Sequence, residues 1–209
     1  MTKVKICGLT EPNSLTAAIE AGADFIGLVF YEPSPRYVAI EVAKYLTSFI
    51  PDNVETVGLF VNPSDEYLTQ VLQEVPLNMI QLHGGETLER VQEIKNQFSV
   101  PVMKVIPISV AEDLERAKVY EDAVDWLMFD AKGESLPGGN GIAFDWSILQ
   151  NYESATPWML AGGVTAENAE KALSICSPNA LDVSSGVESA KGVKNSDKIR
   201  SFISAVKSA

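Results

Sequence analysis

Val4-Lys5-Ile6-Cys7-Gly8-Leu9-Thr10 is the stretch that decides the fold. Val4 and Ile6 alternate with Lys5 and Cys7, as along a short strand, and a cysteine stands at its end. Gly8 turns the chain, and Thr10 with Pro12 opens a helical pattern. A strand that passes a chemically useful side chain to a turn and then to a helix is a βα unit. Its chemistry belongs at the strand's carboxyl end.

The same layout repeats. Further strands are expected at Phe25 to Phe30, Thr56 to Val61, Met79 to Leu82, Val102 to Ile106, Trp126 to Asp130, Trp158 to Ala161 and Ala180 to Val183. Most are nearly continuous apolar runs, as parallel strands covered on both faces require. Helical stripes fall between them. Leu15, Ala18 and Ile19 make one, stopped by Gly22; Leu68, Val71 and Leu72 make another, capped by Asn62 or Ser64; Ile199, Phe202, Ile203 and Val206 make the last. Thr165 is expected to cap the helix after the seventh strand, and a short helix is expected from Trp146 to Leu149.

Eight strands alternating with eight helical segments close most economically as a single-domain (β/α)8 TIM barrel, an α/β fold spanning residues 1–209. An open doubly wound sheet is the runner-up. It would call for a glycine fingerprint after the first strand, which Cys7-Gly8-Leu9-Thr10 does not supply.

The totals narrow the function. A net charge of −12 points away from nucleic acid and anionic membranes, so any anion must meet a locally positive site. Two cysteines give no disulfide framework, and a single histidine argues against a zinc site. Neither a signal peptide nor an apolar run of about 20 residues is visible, which makes the cytoplasm the default.

In a barrel the loops after the strands carry the chemistry. Cys7 ends the first strand and Asp130 the sixth, after four apolar residues. Gln81 and His83, two apart, share a face if the strand persists. Arg36, between a proline-rich turn and Tyr37, is a candidate anion anchor. Gly162-Gly163 and Ser184-Ser185-Gly186 follow the seventh and eighth strands, where barrels cradle a phosphate with backbone N–H groups. Asp182 lies inside the eighth strand. Gly133 to Gly141 reads as a mobile flap over the mouth. Cys176 reads as a small buried hydrophobe.

Together these residues resemble the phosphoribosylanthranilate isomerases of tryptophan biosynthesis. The resemblance is carried by Lys5 to Thr10, Gly27 to Phe30 with Ser34-Pro35-Arg36, Val57 to Asn62, Gln81 to Gly84, Asp130 with Gly138 to Gly141 and Phe144 to Trp146, Leu160 to Gly163 with Asn168, and Asp182 to Glu188. It runs in order from end to end. The chain departs from the family's habit at Asn140, usually Thr or Ser, and at Asn195, usually Asp.

The resemblance implies an Amadori rearrangement of N-(5-phosphoribosyl)anthranilate, without a cofactor or a metal, on a small sugar-phosphate substrate. Asp130 would be the acid that opens the ribose ring and Cys7 the base at the sugar's second carbon. Arg36 would face the anthranilate carboxylate, and Gln81, His83 and Asp182 would help hold the substrate. Gly162, Gly163, Ser184, Ser185 and Gly186 would hold its phosphate. The chain itself does not choose between monomer and homodimer.

Those roles carry a cost. At pH 7 a reference thiol is roughly 2 kcal/mol short of thiolate, and a reference aspartic acid roughly 4 kcal/mol short of its protonated form. A positive neighbour is therefore expected to favour the Cys7 thiolate, and an apolar pocket around Trp126 to Phe129 to favour protonated Asp130. Two rivals stand beside this one. Another sugar-phosphate barrel enzyme would want metal-binding histidines, or catalytic lysines at strand ends, and Lys104 falls mid-strand. A catalytically silent phosphate-binding module is the other.

Overall fold

A computed structural model describes residues 1–132 and 144–209. The flap expected at Gly133 to Gly141, and with it Asn140, lies outside the described residues.

Eight strands are hydrogen-bonded in chain order into a closed parallel barrel: β1 (Lys3–Cys7), β2 (Phe25–Val29), β3 (Glu55–Phe60), β4 (Met79–Leu82), β5 (Val102–Ile108), β6 (Trp126–Ala131), β7 (Trp158–Leu160) and β8 (Ala180–Val183). The ring shuts where β1 meets β8, with Lys5 opposite Asp182 in register. The helices between strands are α1 (Pro12–Ala21), α2 (Ile40–Thr47), α3 (Asp65–Glu74), α4 (Leu88–Phe98), α5 (Leu114–Tyr120), α6 (Ala169–Ile175) and α7 (Ser196–Ser208). After β6 a short 3-10 helix, Trp146–Leu149, takes the helix's place. α7 packs against α1 and β1. Among the described residues, no helix is long and apolar enough to cross a membrane.

Successive side chains of a strand point to opposite faces, which divides the core in two. Outward residues such as Val4, Ile6, Ile26, Leu28, Leu127 and Phe129 pack beneath the helices. Inward residues fill the lumen. Phe25, Val57, Met79, Met103, Met128 and Met159 form its floor. Four of the chain's five methionines lie there, where a flexible thioether suits an irregular space. The same alternation carries Cys7, Val29 and Leu59 to the rim above that floor.

Local details refine the expectations. Ser64, rather than Asn62, caps α3 by accepting from the Tyr67 N–H. Thr165 does not cap α6: Asn168 holds the N-cap position and its Oδ1 accepts from the Thr165 N–H instead. Asn195 caps α7 by accepting from the Lys198 N–H, so an amide here does what a carboxylate can do. A small hairpin, β9 (Glu188–Ala190) with β10 (Val193–Lys194), follows β8 and was not anticipated, since such short polar strands carry no periodic signal.

Candidate active site

The carboxyl ends of the strands surround a cavity that opens to solvent. Cys7, Arg36, Gln81 and His83 line it on one side of the chain's order; Asp130, Gly162, Gly163, Asp182, Ser184, Ser185 and Gly186 line it on the other. The catalytic and binding candidates named above therefore line one cavity.

Cys7 is buried at the end of β1. Burial pushes its thiol above the ordinary range, and Lys5 and Lys194 offset only part of that. Cations do stand beside the thiol, and burial acts against them. Lys5 lies two residues before Cys7 on the same strand. Its ammonium is wholly buried and pairs with Asp182 at 2.8 Å. Lys104, by contrast, belongs to the outward face, where it pairs with buried Glu86 at 2.8 Å and also donates to the Gly84 carbonyl.

Asp130 sits at the end of β6. Its Oδ1 accepts from the Ala131 N–H at 2.8 Å, and its Oδ2 faces His83 Nε2 at 3.3 Å. Gln81 Nε2 lies 3.4 Å from His83 Nδ1 and 3.6 Å from Met128 Sδ. His83 thus bridges Gln81 and Asp130. The apolar surround expected from Trp126 to Phe129 is only partial. Leu127 and Phe129 point outward into the helix layer, while Met128 and, lower down, Trp126 pack on the lumen side.

Arg36 is held in the cavity wall by Glu188, with Nε to Oε1 at 2.7 Å and Nη2 to Oε2 at 3.1 Å. Such a fork-to-fork pair fixes the guanidinium plane. Glu188 also accepts from Lys194 Nζ and from the Gly192 N–H. Burial alone would push this carboxyl up; Arg36 and Lys194 prevail and hold it at about 2. Lys194 further donates to the Ser184 carbonyl and hydroxyl, and the Ser184 hydroxyl donates to the Cys7 carbonyl. Glu188 and Lys194 were not singled out for roles, because they lie beyond the strand ends on the unexpected hairpin.

The loops after β7 and β8 are pressed together. Gly162 has φ +80°, and a side chain there would strike the Ala131 N atom and crowd Asp130 Oδ1. At Gly186 a Cβ would come within 2.4 Å of the Val164 carbonyl oxygen. Asn168 braces the first loop by donating to the Gly163 carbonyl. Among the described residues, no group of three or more His, Cys, Asp or Glu is gathered as a metal ion would need.

Comparison with known proteins places these features. The family model described as PRAI, N-(5'phosphoribosyl)anthranilate (PRA) isomerase, matches residues 4–205. The chain is 52% identical over 208 residues to the N-(5'-phosphoribosyl)anthranilate isomerase of Paramagnetospirillum magneticum, covering 98% of this chain and 97% of that one. Its fold matches the crystal structure of phosphoribosyl anthranilate isomerase from Thermotoga maritima with a TM-score of 0.92, at 37% identity and full coverage of both chains. A phosphoribosyl anthranilate isomerase solved in complex with reduced 1-(o-carboxyphenylamino)-1-deoxyribulose 5-phosphate matches with a TM-score of 0.87, at 35% identity and full coverage of both chains.

Proposed function

The chain belongs to the N-(5'-phosphoribosyl)anthranilate isomerase family, and from that premise we propose how its own residues perform the reaction. It is an isomerase of tryptophan biosynthesis that rearranges N-(5'-phosphoribosyl)anthranilate to 1-(2-carboxyphenylamino)-1-deoxyribulose 5-phosphate. Asp130 is the general acid and Cys7 the general base. Asp130, held by the Ala131 N–H at Oδ1 and facing His83 at Oδ2, donates its carboxyl proton. That proton passes to the ribose ring oxygen, the ring opens, and the nitrogen lone pair forms an imine. Cys7 then takes the proton from the sugar's second carbon, and the resulting enolamine tautomerises to the ketone. Proton transfer by placed side chains of this kind is worth about 10² to 10⁴ in rate.

Arg36 meets the anthranilate carboxylate with a plane already set by Glu188. The loops Gly162-Gly163 and Ser184-Ser185-Gly186 take the phosphate, with the Ser184 hydroxyl left to tie its loop to the Cys7 carbonyl. Asp182 acts through Lys5, while His83 and Gln81 orient the acid.

The observation that carries these assignments is that Cys7 and Asp130, from the first and sixth strands, line one cavity together with the glycine loops of the seventh and eighth. The test is consumption of phosphoribosylanthranilate, followed by its fluorescence, on adding the purified chain. Catalytic loss of signal is expected. Tight inorganic phosphate binding without turnover would make the chain a silent phosphate-binding module instead.

A further inference from the structure

The roles above bring in Lys5 only as the partner of Asp182. Lys5 is fully buried, its side chain turned into the lumen above a floor of methionines. Closing an ammonium inside a core costs several kcal/mol unless a partner compensates, and an apolar side chain of similar length would fill the space without that penalty. Asp182, its register partner on β8, compensates at 2.8 Å. What makes the pair more than a structural one is its place. Lys5 and Cys7 are two apart on β1 and share the inward face. On the neighbouring strand, Gly27 stands opposite Cys7 in register. A Cβ at Gly27 would come 2.9 Å from Cys7 Sγ and 3.1 Å from Lys5 Nζ. The missing side chain thus leaves thiol and ammonium bordering one small space.

We propose that Lys5 is a positioning residue for the base: its ammonium is the counter-charge that lets Cys7 give up its proton in a closed site, while Asp182 holds Lys5 beneath Cys7 and tempers it. The proposal rests on the assignment of Cys7 as base. Among the described residues, the other titratable groups around the thiol are Lys194 from β10, with Glu188 and Arg36 behind it, and Asp130 and His83 across the cavity. Burial pushes the thiol up most; of the groups acting on it, Lys5 opposes burial most strongly, Asp182 reinforces it, and Lys194 opposes it less. Removing the two members of the pair should therefore have opposite effects.

The experiment is alkylation of Cys7 by iodoacetamide in the intact protein across a pH series, read by peptide mass spectrometry so that Cys176 is scored separately. Lys5→Met is expected to move the Cys7 midpoint upward by about one pH unit or more. Asp182→Asn is expected to move it downward. The double variant Lys5→Met/Asp182→Asn, which buries no unpaired charge, should stay above the wild type. An unmoved or lowered midpoint in Lys5→Met, even with turnover lost, would reduce Lys5 to a packing role. If Lys5→Met does not fold, the double variant and Asp182→Asn decide by the same directions, and a raised midpoint in Asp182→Asn overturns the proposal. Retained turnover in Cys7→Ser is a different failure: it removes the base assignment and leaves the order of midpoints to stand or fall alone.

Discussion

The two halves of the mouth are built differently. Around Cys7, on the side of β8, β1 and β2, two ion-paired groups converge: Lys5 with Asp182, and Arg36 with Glu188 and Lys194. Around Asp130, the described partners are a backbone N–H and one imidazole, itself oriented by Gln81. The difference matches the two proposed tasks. A base that must become an anion in a buried place needs fixed cations nearby. An acid that must carry a proton is better served by few charges and by a neighbour that aims it. The crowded side also joins the proposed substrate anchor to the proposed base, because Glu188, Lys194 and Ser184 form one chain of bonds from Arg36 to the Cys7 carbonyl.

The largest effect that could break this comparison lies on the sparse side. Asp130→Asn keeps the shape and the hydrogen bond from Ala131 but cannot deliver a proton. Turnover should fall by roughly 10³-fold with little change in KM, as steady-state fluorescence kinetics would read. A fall within a few-fold of wild type would remove Asp130 as the acid. Next comes the anchor on the crowded side. Arg36→Ala should raise KM by roughly ten- to a hundredfold, more than it lowers kcat, because it removes a charge-assisted bond made in ground and transition states alike. An unchanged KM would move the carboxylate site elsewhere.

A smaller effect concerns stability. Glu188 is held at about 2, below its ordinary 4.5. Its pairing therefore stabilises the fold fully above pH 4.5 and is lost as the pH falls from there through 2. A shift of that size corresponds to about 3 kcal/mol, which partial solvation reduces to roughly 2 kcal/mol. Urea unfolding at pH 6 and at pH 2.5 should show wild type losing that much more than Glu188→Gln. Parallel losses would mean that the network contributes nothing to acid stability.

The barrel was legible because most strands are apolar on both faces and each is followed by a turn and a helical stripe. The strand ends then located the mouth. What escaped notice was polar and short. The hairpin of Glu188 to Lys194 has strands of three and two residues, too brief for any period to register. With it went the partner of Arg36. Asn168, quoted only as part of a match, turned out to brace the loop at Gly163 rather than to leave Thr165 as a cap. Lys5 did leave a signal. A lysine between Val4 and Ile6 in a strand destined to be covered on both faces must find a buried partner, and that constraint could have been read before any coordinates.

The account depends most on the sulfur at the end of the first strand. The direct measurement is kcat and KM of Cys7→Ser against wild type on phosphoribosylanthranilate, with folding verified by circular dichroism. A hydroxyl retains the position but is a far weaker base partner, so kcat should drop by about 10³-fold while KM stays within a few-fold. Turnover close to wild type would contradict the assignment and, with it, the division of labour between the two sides of the mouth.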